Sequence, residues 1–303
     1  MKQIDVLPDD VLLVIFDFYV DWRGLLYAYN SKSRLEAWQS LIHVCRRRRW
    51  RNLVLRSPCR LNLRLYSTHK TPVRATLRVW PALPLLVECN MALSSGTDNI
   101  NAALEHSNRV FQVFLTLAGW QWENVLAAMQ VPFPVLTLMR LWSNDEATPV
   151  IPDSFLGGSA PRLQFFELDG IPFPMLPKLL FSATHLVYLN LYGIPHPGYI
   201  SPEAIAAPLS VLSNLKVLSL QFQSPQPRPD WESRSLPPLK RSVIPALRKF
   251  VFKGAIEYLE DLVAFIDGPQ LKETDITFFN QIDFDCSRLS QFIPSYASVQ
   301  DTR

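Results

Sequence analysis

The chain has 303 residues, 48% hydrophobic and 19% charged, enough to bury one elongated core or two compact ones. No apolar run reaches the roughly eighteen residues a membrane helix needs. Net charge is +3, but residues 1–80 carry +9 and residues 81–303 carry −6, so two surfaces of opposite sign are expected. Cys45, Cys59, Cys89 and Cys286 stand far apart with no CxxC pair. That spacing argues against a zinc site and fits a reducing home, cytoplasmic or nuclear. Acidic Asp5, Asp9, Asp10 and Asp17 inside the apolar N-terminal stretch argue against a secretory signal. With 25 Pro against 10 Gly, the elements should be short.

The chain opens with Leu7-Pro8, and Pro8 suits the first turn of a helix, where its missing N–H has no partner to lose. Asp9 and Asp10 favour the positive helix end. Leu12, Ile15, Phe16 and Tyr19 then fall at i, i+3, i+4, i+7, while Val11, Leu13, Val14 and Phe18 make the other side apolar too. A short helix that is apolar all round should be covered on more than one side, by its own small fold and by a partner. After a mixed connection over 21–37, Trp38, Leu41, Ile42 and Cys45 repeat the helical spacing. Arg46–Arg49, Trp50, Arg51 and the apolar Leu53-Val54-Leu55 follow. Successive residues of one helix point in different directions, so the Arg run is expected to be a solvated helix face rather than a nucleic-acid site.

Leu7, Pro8, Asp10, Ile15, Phe16, Val44, Cys45, Arg46 and Trp50, in that order, resemble an F-box. The segments SPCRLNLRL and TPVRATLRVWPALP that follow resemble large sets of F-box proteins from mushroom-forming fungi. Trp50 follows Cys45 by five residues where the family usually has three. The resemblance implies a small helical module that docks on the Skp-type adaptor of a cullin-RING (SCF-type) ubiquitin ligase. Its contacts would be Leu7, Pro8, Leu12, Ile15, Phe16, Val44, Cys45 and Trp50. The bland alternative is an N-terminal cap closing the array described next.

From residue 110 a pattern close to L-x-x-L-x-L recurs: Val110/Val113/Leu115, Leu136/Met139/Leu141, Leu163/Phe166/Leu168, Leu186/Leu189/Leu191, Leu215/Leu218/Leu220, Leu247/Phe250/Phe252 and, weakest, Leu271/Thr274/Ile276. First positions are 26, 27, 23, 29, 32 and 24 residues apart, the period of a degenerate leucine-rich repeat. Helices are predicted between the strands at Ile100–Leu104, Trp122–Met129, Pro174–Phe181, Pro202–Leu212 and Tyr258–Ile266, from apolar residues at helical spacing. Leu61–Leu65 and Leu77–Val79 are read as earlier, irregular strands. The Pro-rich segment Ser224–Lys240 reads as an exposed loop. Near the end a short helix, Ser287–Phe292, precedes a polar tail with no capping unit.

One strand-helix unit cannot bury its apolar face alone, so the units should stack into a curved solenoid with a parallel sheet and outer helices, an α/β fold. The expected division is a helical module at 1–57, an irregular connector with the first degenerate repeats at 58–108, and the solenoid at 109–303. The residues between the buried positions mix aromatics, amides and charges, as a protein-binding face does. Phe165, Glu167, Tyr188, Asn190 and Lys216 are the candidates for target contact. Phe165 and Tyr188 are the expected anchors, because neighbouring strands would set them side by side.

Catalytic signatures are missing. Five histidines are scattered without HExxH or another metal-pair spacing, and no GxSxG, GxxxxGK[ST] or GxGxxG occurs. The expectation is a non-enzymatic protein with no cofactor and no metal. It should bind neither nucleic acid nor membrane, and serve as the target-recognition subunit of an SCF-type ligase. A ligase-independent repeat scaffold with a vestigial F-box is the second reading.

Overall fold

A computed structural model describes residues 7–19, 48–56, 64–79, 82–90, 97–143, 145, 148–225, 241–279 and 287–292. Among these residues nine parallel strands form one sheet whose order is the chain order. They are β1 (Leu65–Thr68), β2 (Leu85–Asn90), β3 (Val110–Leu117), β4 (Leu138–Ser143), β5 (Phe165–Asp169), β6 (Tyr188–Ile194), β7 (Val217–Phe222), β9 (Lys249–Gly254) and β11 (Glu273–Phe278). Two short strands, β8 (Ser242–Val243) and β10 (Ile266–Asp267), pair with each other in parallel. Parallel neighbours need a crossover. Helices α3 (Val73–Val79), α4 (Asp98–Leu104), α5 (Trp122–Ala128), α6 (Leu176–Leu180), α7 (Pro202–Leu209) and α8 (Ile256–Phe265) lie in these connections.

The repeating unit is kept by hydrogen bonds rather than by length. Before each of six strands the same turn recurs, in which Leu136, Leu163, Leu186, Leu215, Leu247 and Leu271 each donate their backbone N–H to the carbonyl three residues back. One residue later the strands are laced together. The Thr137 carbonyl accepts Gln164 and Phe165, that of Gln164 accepts Val187 and Tyr188, that of Val187 accepts Lys216 and Val217, and that of Lys216 accepts Arg248 and Lys249. The variation of spacing is therefore absorbed between the strands, and the strands themselves stay in step apart from register shifts at Leu85/Leu86 and between Leu191 and Ile194.

All three apolar positions of the first six motifs are buried and belong to one core with helix residues such as Ile100, Trp122, Leu179 and Leu262. At roughly 1.5–3 kcal/mol for each large side chain removed from water, this layer dominates the stability of the sheet. The last motif differs, because Thr274 and Ile276 on β11 are only half-buried. The five inter-strand helices appear within a few residues of their predicted bounds. Helix α7 starts as its Ser201-Pro202-Glu203 sequence suggests, with the Ser201 hydroxyl accepting the Ala204 N–H at 3.2 Å.

One expectation for the early segment changes. Leu77–Val79 is not a strand but the end of α3, because Pro72 precedes the helix and Val73 and Leu77 share one helical face at i, i+4. Strand β2 carries no mark in a leucine-based pattern because Cys89 occupies the register position held by Leu115, Leu141, Leu168 and Leu191 in the following strands. The sheet thus runs on through β1 and β2, within the segment 58–108 read as an irregular connector with the first degenerate repeats. The Pro-rich stretch lies almost wholly outside the described residues, as do Leu61, the predicted helix around Trp38–Cys45 and the polar tail.

At the N-terminus, α1 (Asp9–Tyr19) packs against α2 (Arg48–Arg56) through the rings of Phe16 and Trp50, whose centroids are 5.4 Å apart. Arg49 reaches back to the Asp9 carboxylate at 2.6 Å and to the Leu7 carbonyl at 2.9 Å. At the other end, α9 (Ser287–Phe292) forms as predicted. Glu260 on α8 accepts the Arg288 and Leu289 N–H groups of its first turn, and Phe292 meets Phe250 edge-on at 5.8 Å.

Candidate binding face

Alternation along each strand sends one set of side chains into the core and the other set to the helix-free face. The register aligns the second set into rows across the sheet. One row reads Gln112, Leu138, Phe165, Tyr188, Val217 and Lys249; the next reads Phe114, Arg140, Glu167, Asn190, Ser219 and Val251. A third row, at the C-terminal rim of the strands, sets Trp142, Asp169 and Tyr192 on three successive strands.

Glu167 is the hub. It is 5% exposed, and its carboxylate accepts the Trp142 indole N–H at 2.9 Å and the Asn190 amide at 3.2 Å. Arg140 Nε stands 3.7 Å from the same carboxylate, an ion pair without a hydrogen bond. The Arg140 guanidinium also lies over the Phe165 ring at 4.5 Å and within 5.9 Å of Phe114. A cation between two rings is stabilised by roughly 0.5–2 kcal/mol, depending on desolvation. Asn190 is itself buried, and its side-chain carbonyl has no hydrogen-bond partner.

The five candidate target-contact residues thus divide three ways. Phe165 and Tyr188 stand side by side, ring centroids 5.5 Å apart and tilted by 33°, both half-exposed. Glu167 and Asn190 are on the same face but buried beneath it, where they hold other side chains in place. Lys216 precedes β7, and its backbone carries the lacing between strands. Its exposed side chain sits at the opposite rim of the sheet from Trp142, Asp169 and Tyr192, and off all three rows.

Sequence reasoning left Trp142, Asp169 and Tyr192 unmarked. The signal for them is simple: each directly follows the last apolar position of its motif, after Leu141, Leu168 and Leu191. Extending the strands by one residue would have found them. Burial, with Glu167 adding to it, raises the Asp169 carboxyl above the ordinary carboxylate range. Burial and the Glu167 charge likewise raise the Tyr192 phenol, whose bond to Ser219 works the other way.

The N-terminal helix offers a second surface. Leu12 and Phe16 are 0% and 1% exposed, while Val11, Val14 and Ile15 are 39%, 47% and 39% exposed along one edge of α1. Pro8 is exposed; Leu7 and Trp50 are half-buried, the Trp50 indole N–H having no hydrogen-bond partner. Val44 and Cys45 lie outside the described residues. No family model matches the chain, and no curated protein matches it either. Among the described residues no three His, Cys, Asp or Glu side chains gather to hold a metal ion, and no helix is long and apolar enough to cross a membrane.

Proposed function

We propose that the protein is the target-recognition subunit of an SCF-type ubiquitin ligase, docking on a Skp-type adaptor through its N-terminal helices and holding a target protein on the helix-free face. The observation that carries the docking half is the exposed apolar edge Val11, Val14 and Ile15, next to Leu7-Pro8, on a helix whose opposite face is already buried. In this reading Leu7, Pro8 and Ile15 touch the adaptor. Leu12, Phe16 and Trp50 build the module that presents them, since the chain itself covers them. The role needs no catalytic group here: holding a target near the conjugating enzyme raises the local concentration of its lysines.

The second reading, a ligase-independent scaffold, draws on the Phe16–Trp50 contact and on the five-residue step from Cys45 to Trp50. Both give Trp50 an internal task in place of an adaptor contact. Co-purification of the full chain with a fungal Skp adaptor separates the two. Docking predicts capture of the wild type and its loss in Leu7→Ala/Pro8→Ala, whereas a folded wild-type chain that captures no adaptor overturns it.

A further inference from the structure

We propose that the C-terminal rim of the helix-free face is a receptor for one basic side chain, lysine or arginine, presented by an extended segment of a partner protein, with Asp169 as its counter-ion between Trp142 and Tyr192. The proposal rests on the helix-free face being a protein-binding surface, and it does not depend on adaptor docking.

Trp142, Asp169 and Tyr192 are register partners on β4, β5 and β6, so the carboxylate has an aromatic residue one strand away on each side, about 4.8 Å in the hydrogen-bonding direction. All three are half-exposed. A cation between aromatic faces, paired with a carboxylate, is how amines and guanidinium groups are held.

The local charge asks for such a guest. Glu167 and Asp169 bring two carboxylates to this part of the face, and Arg140 supplies one guanidinium, leaving one negative charge over. Arg140 is committed to Glu167 and to the Phe165 ring. Among the described residues no donor and no cation pairs with the Asp169 carboxylate. The direction of its acidity agrees, because burial and Glu167 raise it and no cation offsets them.

A second unmet acceptor lies beside it. Asn190, on β6 and one row in, is buried, and its amide N–H₂ faces Glu167, which turns its carbonyl oxygen away from that carboxylate. The oxygen is enclosed within the folded chain, so a guest at the rim meets the Asp169 carboxylate rather than Asn190. The unpaired, half-exposed Asp169 carboxylate selects a donor over an acidic or purely apolar guest.

Backbone at the rim leaves room for it. Gly193 has φ +52°, and a Cβ there would stand 3.0 Å from Asp169 Oδ1. The glycine at this turn therefore keeps the carboxylate open from the strand end. The nearby Phe165–Tyr188 pair gives the rest of an extended segment an apolar place to lie.

A positional-scanning library tests this: ten-residue peptides with Lys, Arg, Gln or Glu fixed at one central position and the other positions randomised, read by capture of the full-length chain. The Lys and Arg pools should retain roughly tenfold more wild-type chain than the Gln and Glu pools. Asp169→Asn, nearly isosteric, should erase that preference, and Phe165→Ala should lower all four pools alike. Equal capture by the Gln pool, or a preference that survives in folded Asp169→Asn, overturns the basic receptor while leaving the face as a binding surface. No capture by any pool overturns both. Failure of adaptor capture touches neither.

Discussion

Trp142 and Glu167 are joined across neighbouring strands by a 2.9 Å indole-to-carboxylate hydrogen bond, so the most buried acid of the helix-free face is held by an aromatic residue from its rim. The bond makes the face a connected unit. Moving Glu167 disturbs Trp142, Asn190 and Arg140 together.

Glu167→Ala should therefore lower stability by roughly 2–4 kcal/mol, since it leaves the Trp142 indole N–H, a buried amide and a guanidinium without their acceptor. Glu167→Gln keeps one acceptor oxygen and should cost less. Urea denaturation of the two variants beside wild type checks the order; a smaller loss for Ala than for Gln would refute the hub.

The two faces of α1 should respond oppositely. Phe16→Ala empties a fully buried position against Trp50 and should cost roughly 3–5 kcal/mol locally, seen as faster amide exchange through α1 and α2. Ile15→Ala removes an exposed side chain and should change stability by less than about 0.5 kcal/mol, while weakening adaptor capture.

Asp169 gives a pH signature. Its carboxyl is raised in the folded chain, so the folded state binds that proton more tightly than the unfolded state does. The charged carboxylate thus penalises folding at neutral pH. The penalty fades as pH falls through the raised value and is gone below the ordinary carboxylate range. Asp169→Asn should be more stable than wild type at neutral pH, and the gap should narrow steadily on acidification. Paired thermal melts across that range read it directly; a gap that widens on acidification refutes the sign.

Cys89 is buried on β2, and burial with the neighbouring Glu88 charge pushes its thiol up to about 11. At neutral pH it should be a protonated, unreactive thiol. Iodoacetamide followed by peptide mapping should label Cys89 in urea and leave it unlabelled in the native chain.

Much of the sheet is written plainly in the sequence. Residues such as Phe166, Leu189 and Leu218 recur at the same place in each motif because each faces the same apolar layer, and one layer imposes one rule. Strand β2 hides because the core accepts Cys89 in place of leucine: the layer needs a small apolar volume there and does not specify which one. Phe165 and Tyr188 were legible as neighbours because strand register follows from the buried positions. The roles of Glu167 and Asp169 were not. The two are chemically alike and two residues apart, and only the reach of Trp142, Asn190 and Arg140 from other strands buries one and leaves the other open. That information is held in pairwise geometry, which no spacing along the chain records.

Strand order that equals chain order has an evolutionary consequence. Each strand contributes a single residue to each row of the helix-free face, on the side away from the buried leucines of its motif. A lineage can therefore rewrite a half-exposed letter such as Tyr188 or Val217, or lengthen a connection between strands, at little risk to folding, whereas Glu167 can change only together with its partners. Such an arrangement suits a protein whose recognition surface must change faster than its scaffold.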